Sequence, residues 1–305
     1  MGYPQLHRSP ARRQLSAARM TLSLRRRSLL LAAFLLLATG LALSRPLDAV
    51  RADGTLRVAL YEDNFPFSGL KDGKPAGIEV DLAQAVADAL KVKLDLRLVD
   101  AGENSDGDLR LALWRGDLAG SALSDVMLHV PADRIFAQRN EQIFTTRPYL
   151  QQRLALAWKR GATEDFETLG DIGDTPIAVE GNSASDAMLL TANGGKLRGN
   201  LKHFKSFDEA AKAFMGGEAP VLAGTLSEIE GALTASKTPR DGIGITQVKL
   251  AGPIKTSWEL CGAVKSDSRD LGYAVGDTIT SLIDNGTMKA IFAKHGVSYD
   301  PPTGY

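Results

Sequence analysis

Four histidines, one cysteine and scattered acids are the side chains that offer chemistry in this sequence, and their spacing limits what that chemistry is. His129, His203 and His295 stand far apart, and His7 lies in an arginine-rich opening, so no two have metal-ligand spacing. No HExxH, paired CxxC, GxSxG elbow or GxxxxGK[ST] phosphate loop occurs. Cys261 sits in Leu-Cys-Gly-Ala-Val, which reads as a buried strand, and a lone thiol makes no internal disulfide. Among the acids, Glu62, Asp63 and Glu79 have no neighbouring pattern that marks one as a general acid or base. The expectation is a protein that is not an enzyme and holds neither a metal nor a cofactor. What remains is anion-binding geometry at Glu180-Gly181-Asn182-Ser183-Ala184-Ser185, where free N–H groups and hydroxyls meet at a helix start. The same residues also read as an ordinary N-cap, with Ser183 or Ser185 satisfying its own helix.

The elements that must position these residues alternate. Residues 55–60 read as a buried strand, broken by Phe65-Pro66-Phe67, and Lys71-Asp72-Gly73-Lys74 as a turn. Over residues 79–90, Leu82, Val86 and Leu90 recur at four-residue steps, which predicts an amphipathic helix. The period then changes: Val92, Leu94, Leu96 and Leu98 alternate with charged residues, which predicts a half-buried strand. Strand, helix, strand implies a parallel unit. Further on, residues 109–114 read as a helix, and 125–130 and 154–158 as strands. The pattern restarts with a strand at 176–179, a helix start at 185–191, a helix at 207–215 and a short strand at 220–223. A strand at 258–264 and helices at 271–284 and 287–294 follow, the last stopped by Gly296. Two α/β lobes are expected.

Charge and hydropathy set the compartment. The 305 residues carry 36 basic and 36 acidic side chains, but nine Arg and one acid fall within residues 1–52, so 27 bases face 35 acids in the rest. A body with a charge near −8 has no cation excess with which to hold nucleic acid or an anionic membrane. Arg25-Arg26-Arg27 precedes fifteen uncharged, mostly aliphatic residues at 29–43, shorter than the roughly 20 that span a bilayer. That length suits an export signal. Small residues at Ala42 and Ser44, and again at Ala49 and Ala52, offer two processing sites, and the second is preferred, with an uncleaved anchor as the only membrane contact left open. Met20 is an alternative start, and Arg26-Arg27 a hint of a twin-arginine route. With no cysteine near the apolar stretch, no lipid anchor is expected.

Several segments, taken together, resemble a known family. They are Gly54-Thr55-Leu56-Arg57-Val58-Ala59, Asn64-Phe65-Pro66-Phe67, Gly77-Ile78-Glu79-Val80-Asp81-Leu82, Thr146-Arg147-Pro148-Tyr149, Ile177-Ala178-Val179-Glu180-Gly181-Asn182, Ala263-Val264-Lys265 and Ile291-Phe292-Ala293-Lys294-His295-Gly296-Val297. In this order they are similar to the type 2 periplasmic solute-binding proteins, in particular the polar amino-acid-binding group of ABC importers (bacterial extracellular solute-binding family 3). The resemblance implies an α/β fold of two lobes joined by two hinge crossings, with a ligand clamped in the cleft between them. Residues 53–150 plus 255–305 would form the first lobe and 151–254 the second, after a leader of 1–52.

The resemblance also carries a ligand site. Asn64 and Phe65 match the stretch that covers the ligand, Arg134 looks similar to the family's carboxylate-binding arginine, and His129 falls where the family has a small hydroxyl residue. Asn182 and Ser183 match a second carboxylate contact. The family's ammonium-binding Asp is replaced by Thr225, and the Asp of the preceding motif by Pro220, which disfavours a standard α-amino acid. Glu79 and Glu228 are the acids that could compensate, although the first also reads as a helix-start acid favoured by the macrodipole and the second as a solvated helix face. The function expected is a monomeric periplasmic protein that binds a small anionic or carboxylate-bearing molecule for an ABC permease or a membrane sensor. Residues 124–131 and 145–149 also resemble a divergent branch associated with periplasmic quinoprotein dehydrogenases, which leaves an accessory role beside such a dehydrogenase open. The same fold hosts cyclohexadienyl-type dehydratases, a third reading.

Overall fold

The protein is described here from a computed structural model, which covers residues 45–303 apart from 117–119, 121, 162–167 and 251–254. The export signal expected from Arg25 to Leu43, and the processing site at Ala42 and Ser44, lie outside the described residues.

In chain order the elements are α1 (Leu47–Asp53), β1 (Thr55–Tyr61), β2 (Gly69–Lys71), β3 (Lys74–Ala76), α2 (Ile78–Leu90), β4 (Lys93–Val99), α3 (Ser105–Leu109, continued by a π turn), β5 (Val126–Pro131), α4 (Arg134–Arg139) and β6 (Ile143–Lys159). Then come β7 (Ile177–Glu180), α5 (Ala184–Thr191), β8 (Leu201–Phe204), α6 (Phe207–Gly216), β9 (Val221–Thr225), α7 (Leu226–Ala235), β10 (Ile243–Gln247), β11 (Ser257–Lys265), α8 (Arg269–Asp284) and α9 (Thr287–Lys294). The main sheet runs β4-β1-β5-β11-β6-β9-β7-β8, with β10 also on β6.

The long strand β6 joins the two halves of this sheet. Its first part pairs antiparallel with β11, from Ile143 opposite Lys265 to Arg153 opposite Ser257. Its second part pairs with β9, from Leu154 opposite Thr225 to Trp158 opposite Val221, and with β10 on its other edge. From sequence only residues 154–158 read as a strand here, and the part not foreseen contains Pro148, which cannot donate to a ladder. The structure tolerates Pro148 at a register shift, where it faces Cys261. Apolar packing follows the same division. One core gathers β1, α2, β5, α8 and α9 around Leu60, Leu82, Tyr149 and Phe292. Others gather β7, β9, α5, α6 and α7 around Leu156, Val179, Phe214 and Ile229. The sheet and its apolar cores therefore divide along β6.

The start of the folded body differs from expectation. Residues 47–53 form α1, and Val50 is fully buried in the first core. Arg45 forks onto Asp125, from Nε to Oδ1 at 2.9 Å and from the second guanidinium nitrogen to Oδ2 at 2.5 Å, and also meets Asp53. Asp125, only 1% exposed, accepts a further bond from the Arg57 amide. Cutting near Ala52 would strip a buried carboxylate of its cation, which costs more than the pair ever contributes.

Two chains, beginning at Arg45 and at Asp53, should therefore melt at different temperatures, the longer one higher. Arg45→Ala should cost about 2 kcal/mol, less than a fully buried pair because Arg45 keeps some solvent contact. Calorimetry that finds equal midpoints for the two chains would show that α1 adds nothing to the fold.

Candidate functional site

The site is built on the loop after β1. Asn64 and Ser68 close it through paired backbone bonds, the Asn64 amide to the Ser68 carbonyl at 2.9 Å and the Ser68 amide to the Asn64 carbonyl at 3.0 Å. This turn leaves Phe65 47% exposed at its tip and buries Phe67 beneath. The loop then caps α2: the Ile78 and Glu79 amides donate to the carbonyls of Pro66 and Phe67. Gly77, at φ +136°, makes this approach possible, because a Cβ there would strike the Phe67 backbone. The α2 N-terminus is therefore already satisfied by backbone oxygens.

Glu79 points inward and is fully buried. Its Oε1 accepts from the Tyr149 hydroxyl at 2.5 Å and from His129 Nδ1 at 2.7 Å, while the Tyr149 oxygen accepts the His129 amide at 3.1 Å. His129 holds a left-handed backbone, φ +62°, and its ring meets Phe67 edge-on with centroids 4.7 Å apart. A buried carboxylate needs a charged partner, and here that partner is the imidazole. Burial pulls the His129 pKa down, but the charge and hydrogen bond of Glu79, with the charge of Glu228, outweigh it and hold it above the usual histidine value. Burial and Glu79 together push the Tyr149 phenol well up, so it stays a donor. Asn64 Nδ2, Ser68 Oγ and Glu79 Oε2 are buried in this corner without a hydrogen-bond partner.

Facing this corner from the other half of the sheet is the start of α7. Thr225 is its N-cap: the hydroxyl accepts the Glu228 amide at 3.2 Å, and Glu228 reaches back to the Thr225 amide at 2.7 Å and hydroxyl at 2.8 Å. This capping box explains both residues locally. Burial raises the Glu228 pKa against the bonds from Thr225 and the charge of His129, and burial together with Glu228 raises that of Glu180 at the end of β7. His129, Glu228 and Glu180 thus share one field. Pro66 of the loop lies against Gly231 of α7, so closely that a Cβ there would fall 2.7 Å from the proline ring.

The remaining expected residues sit differently. Ser183 caps α5 through the Asp186 amide at 3.1 Å, as the ordinary N-cap reading had it. Exposed Asn182, at φ +63°, gives its amide to Asp186 Oδ2 at 2.9 Å, and His203 Nε2 binds the other oxygen at 2.9 Å. A carboxylate of the protein itself therefore occupies the place an anion would take at this helix end. Arg134 opens α4 as an exposed side chain, next to Asp133, whose partner is Lys255 at 2.5 Å. So the structure brings Glu79 and His129 together with Thr225 and its neighbour Glu228 opposite. Two local readings change: Glu79 is a buried ion-pair member rather than a helix-end acid, and Glu228 is a half-buried cap rather than a solvated face. Sequence reasoning missed Tyr149 and Glu180 as site residues. Among the described residues there is no group of His, Cys, Asp and Glu that could hold a metal, and no helix long and apolar enough to cross a membrane.

Comparison with known proteins gives one consistent result. The model for bacterial extracellular solute-binding proteins, family 3, matches residues 56–106. The probable amino-acid-binding protein YxeM of Bacillus subtilis is 24% identical over 80% of this chain and 84% of its own length. The L-cystine-binding protein TcyJ of Escherichia coli is 23% identical over 81% of this chain and 85% of its own. Among solved structures, an ancestral cationic amino acid solute-binding protein aligns with a TM-score of 0.65 at 20% identity, covering 82% of this chain and 99% of that one. An L-arginine-bound ABC transporter substrate-binding protein of Streptococcus pneumoniae aligns at 0.59 and 24% identity, covering 83% and 99%. The fold is that of the type 2 solute-binding proteins. The charges of His129 and Glu228 act on each other, which puts the start of α7 close to the corner of Glu79 and His129.

The ion pair sets a pH dependence. A histidine whose folded pKa lies above the unfolded 6.5 contributes stability that is full below that value and is lost as pH rises through the folded pKa. Melting curves of the wild type and His129→Asn, a residue that accepts φ above zero, should differ most below pH 6.5 and converge at higher pH; a gap that widens with pH would show that His129 is neutral in the fold.

Proposed function

We propose that the protein is the periplasmic solute-capturing component of an ABC importer or a membrane sensor, and that its ligand is a small molecule bearing both an ammonium and a carboxylate. Residues 45–150 plus 255–305 close on residues 151–254 around it. The observation that carries this reading is the acid pair of Glu180 and Glu228, both with raised pKa values, with His129 as the cation in their shared field. A site with surplus, half-buried negative charge favours a ligand that brings a cation. Glu228, folded back onto Thr225, supplies the acid that Thr225 itself lacks, so the replacement at 225 no longer disfavours an α-amino acid. The relatives, a probable amino-acid-binding protein and an L-cystine-binding protein, support the same ligand class. A carboxylate-bearing ligand remains the reading, whereas an anion without an amine would face two uncompensated acids.

Closure is a hinge motion that the ligand favours by touching both lobes. The contact of Pro66 with Gly231 makes that motion testable. Gly231→Leu puts a larger side chain against Pro66 and should weaken ligand binding at least about tenfold, equivalent to 1.4 kcal/mol, as read by titration calorimetry.

The ligand class is tested by thermal shift of residues 45–305 against amino acids, their deaminated acids and their decarboxylated amines. Binding to the folded state raises the midpoint by mass action, about 2.7 kcal/mol of stability at a hundredfold excess over Kd. Shifts with amino acids alone are expected, and Glu228→Gln should remove them while leaving the unliganded protein as stable or more so, since Gln keeps the capping box without the buried charge. Shifts with the deaminated acids instead would overturn the reading, and no shift with any compound would point to a protein partner.

A further inference from the structure

The Glu79–His129 pair does more than hold the fold. Nδ1 of the imidazole is bound to a fully buried carboxylate, yet the His129 side chain keeps 20% of its surface exposed. With Nδ1 tied to Glu79, Nε2 is the ring nitrogen left to bond a ligand. Around the ring stand Glu79 of α2, the phenol of Tyr149 in β6, Tyr61 of β1 with its partner Asp108, Phe67 of the loop, and Glu228 of α7. Tyr149 and Tyr61 are both committed as donors to carboxylates, Tyr149 to Glu79 and Tyr61 to Asp108 at 2.8 Å. The imidazolium is thus the positive group of this corner, with one N–H left to give. Its orientation is over-determined by the bond to Glu79, the amide bond to Tyr149, the left-handed backbone and the edge contact with Phe67. Such a fixed, partly desolvated donor suits a carboxylate, through a charge-assisted hydrogen bond.

We propose that protonated His129, fixed by Glu79 and Tyr149, is the anchor for the ligand's carboxylate, so that capture depends on the protonation of this one side chain. The proposal rests on the amino-acid reading above and names the group that recognises its anionic end. Glu228 opposite takes the ammonium, and the two ends of a zwitterion then bind the two lobes, which links recognition to closure. Arg134, exposed at the start of α4, plays no part. Because the ligand needs the imidazolium, affinity should fall by up to about tenfold per pH unit above the His129 pKa, the limit for release of one proton.

The experiment is isothermal titration of residues 45–305 with the twenty common amino acids and L-cystine at pH 5.5, 7.0 and 8.5. The tightest binder is then repeated with His129→Asn, His129→Arg, Glu79→Gln and Arg134→Ala. Expected are a loss of affinity with rising pH in the wild type and loss of binding in His129→Asn. His129→Arg should bind with little pH dependence, Glu79→Gln should show its fall at lower pH, and Arg134→Ala should match the wild type. Circular dichroism identifies any variant that fails to fold, and His129→Asn and His129→Arg give independent readings. Binding that is independent of pH and abolished by Arg134→Ala would overturn this proposal alone. No heat with any amino acid at any pH would overturn the amino-acid reading and this proposal with it.

Discussion

A carboxylate with no solvent contact is the constraint around which the first lobe is organised. Glu79 is stable there because three elements meet at one of its oxygens: α2 brings the carboxylate, β6 the Tyr149 hydroxyl and β5 the His129 ring. Removing His129 would strand a buried charge, a penalty of several kcal/mol, and removing the Tyr149 hydroxyl would cost a hydrogen bond. The rest of the site follows. Because the α2 amides are taken by the Pro66 and Phe67 carbonyls, the loop from Asn64 to Ser68 is held rigidly above the pair, and its tip meets α7 of the other lobe at Gly231. The same contacts that bury Glu79 thus place the loop that reports closure.

The second lobe answers with the opposite arrangement. Its helix starts are filled by its own acids: Asp186 occupies the beginning of α5, and Glu228 caps α7. Carboxylates at helix N-termini are locally favourable, and that of Glu228 also lies in the field of His129. On the proposed reading the first lobe's cation and the second lobe's acids are complementary, so a ligand that carries both charges satisfies each side only when the lobes come together. A ligand with one charge satisfies one lobe and has no differential effect on closure.

Much of the fold was legible because it is written in local period. The four-residue steps of Leu82, Val86 and Leu90 and the alternation from Val92 to Leu98 correspond to α2 and β4 within a residue or two. The length of β6 was hidden: it contains Pro148, which cannot donate to a ladder, and only the pairing with Cys261 at a register shift accommodates it. The short α1 was assigned to the leader, since nothing in Leu47 to Asp53 announces that Arg45 will find Asp125 eighty residues away. In the site, Glu79 and His129 were both singled out by likeness, but their pairing is a property of the assembled sheet. Tyr149, seventy residues from Glu79, has no local signal at all. Thr225 and Glu228 carried a legible one: a threonine followed three residues later by glutamate is a capping box, and reading it as such would have turned the Glu228 carboxylate back toward the cleft.

A crystal structure of residues 45–305 with the best-binding amino acid tests the account most directly. It should show the ligand between the lobes, its ammonium within hydrogen-bond distance of Glu228 and its carboxylate on His129 Nε2, with Pro66 seated on Gly231. A ligand whose carboxylate lies instead on Arg134 or on the start of α5 at Ser183, with His129 bound only to Glu79, would contradict it.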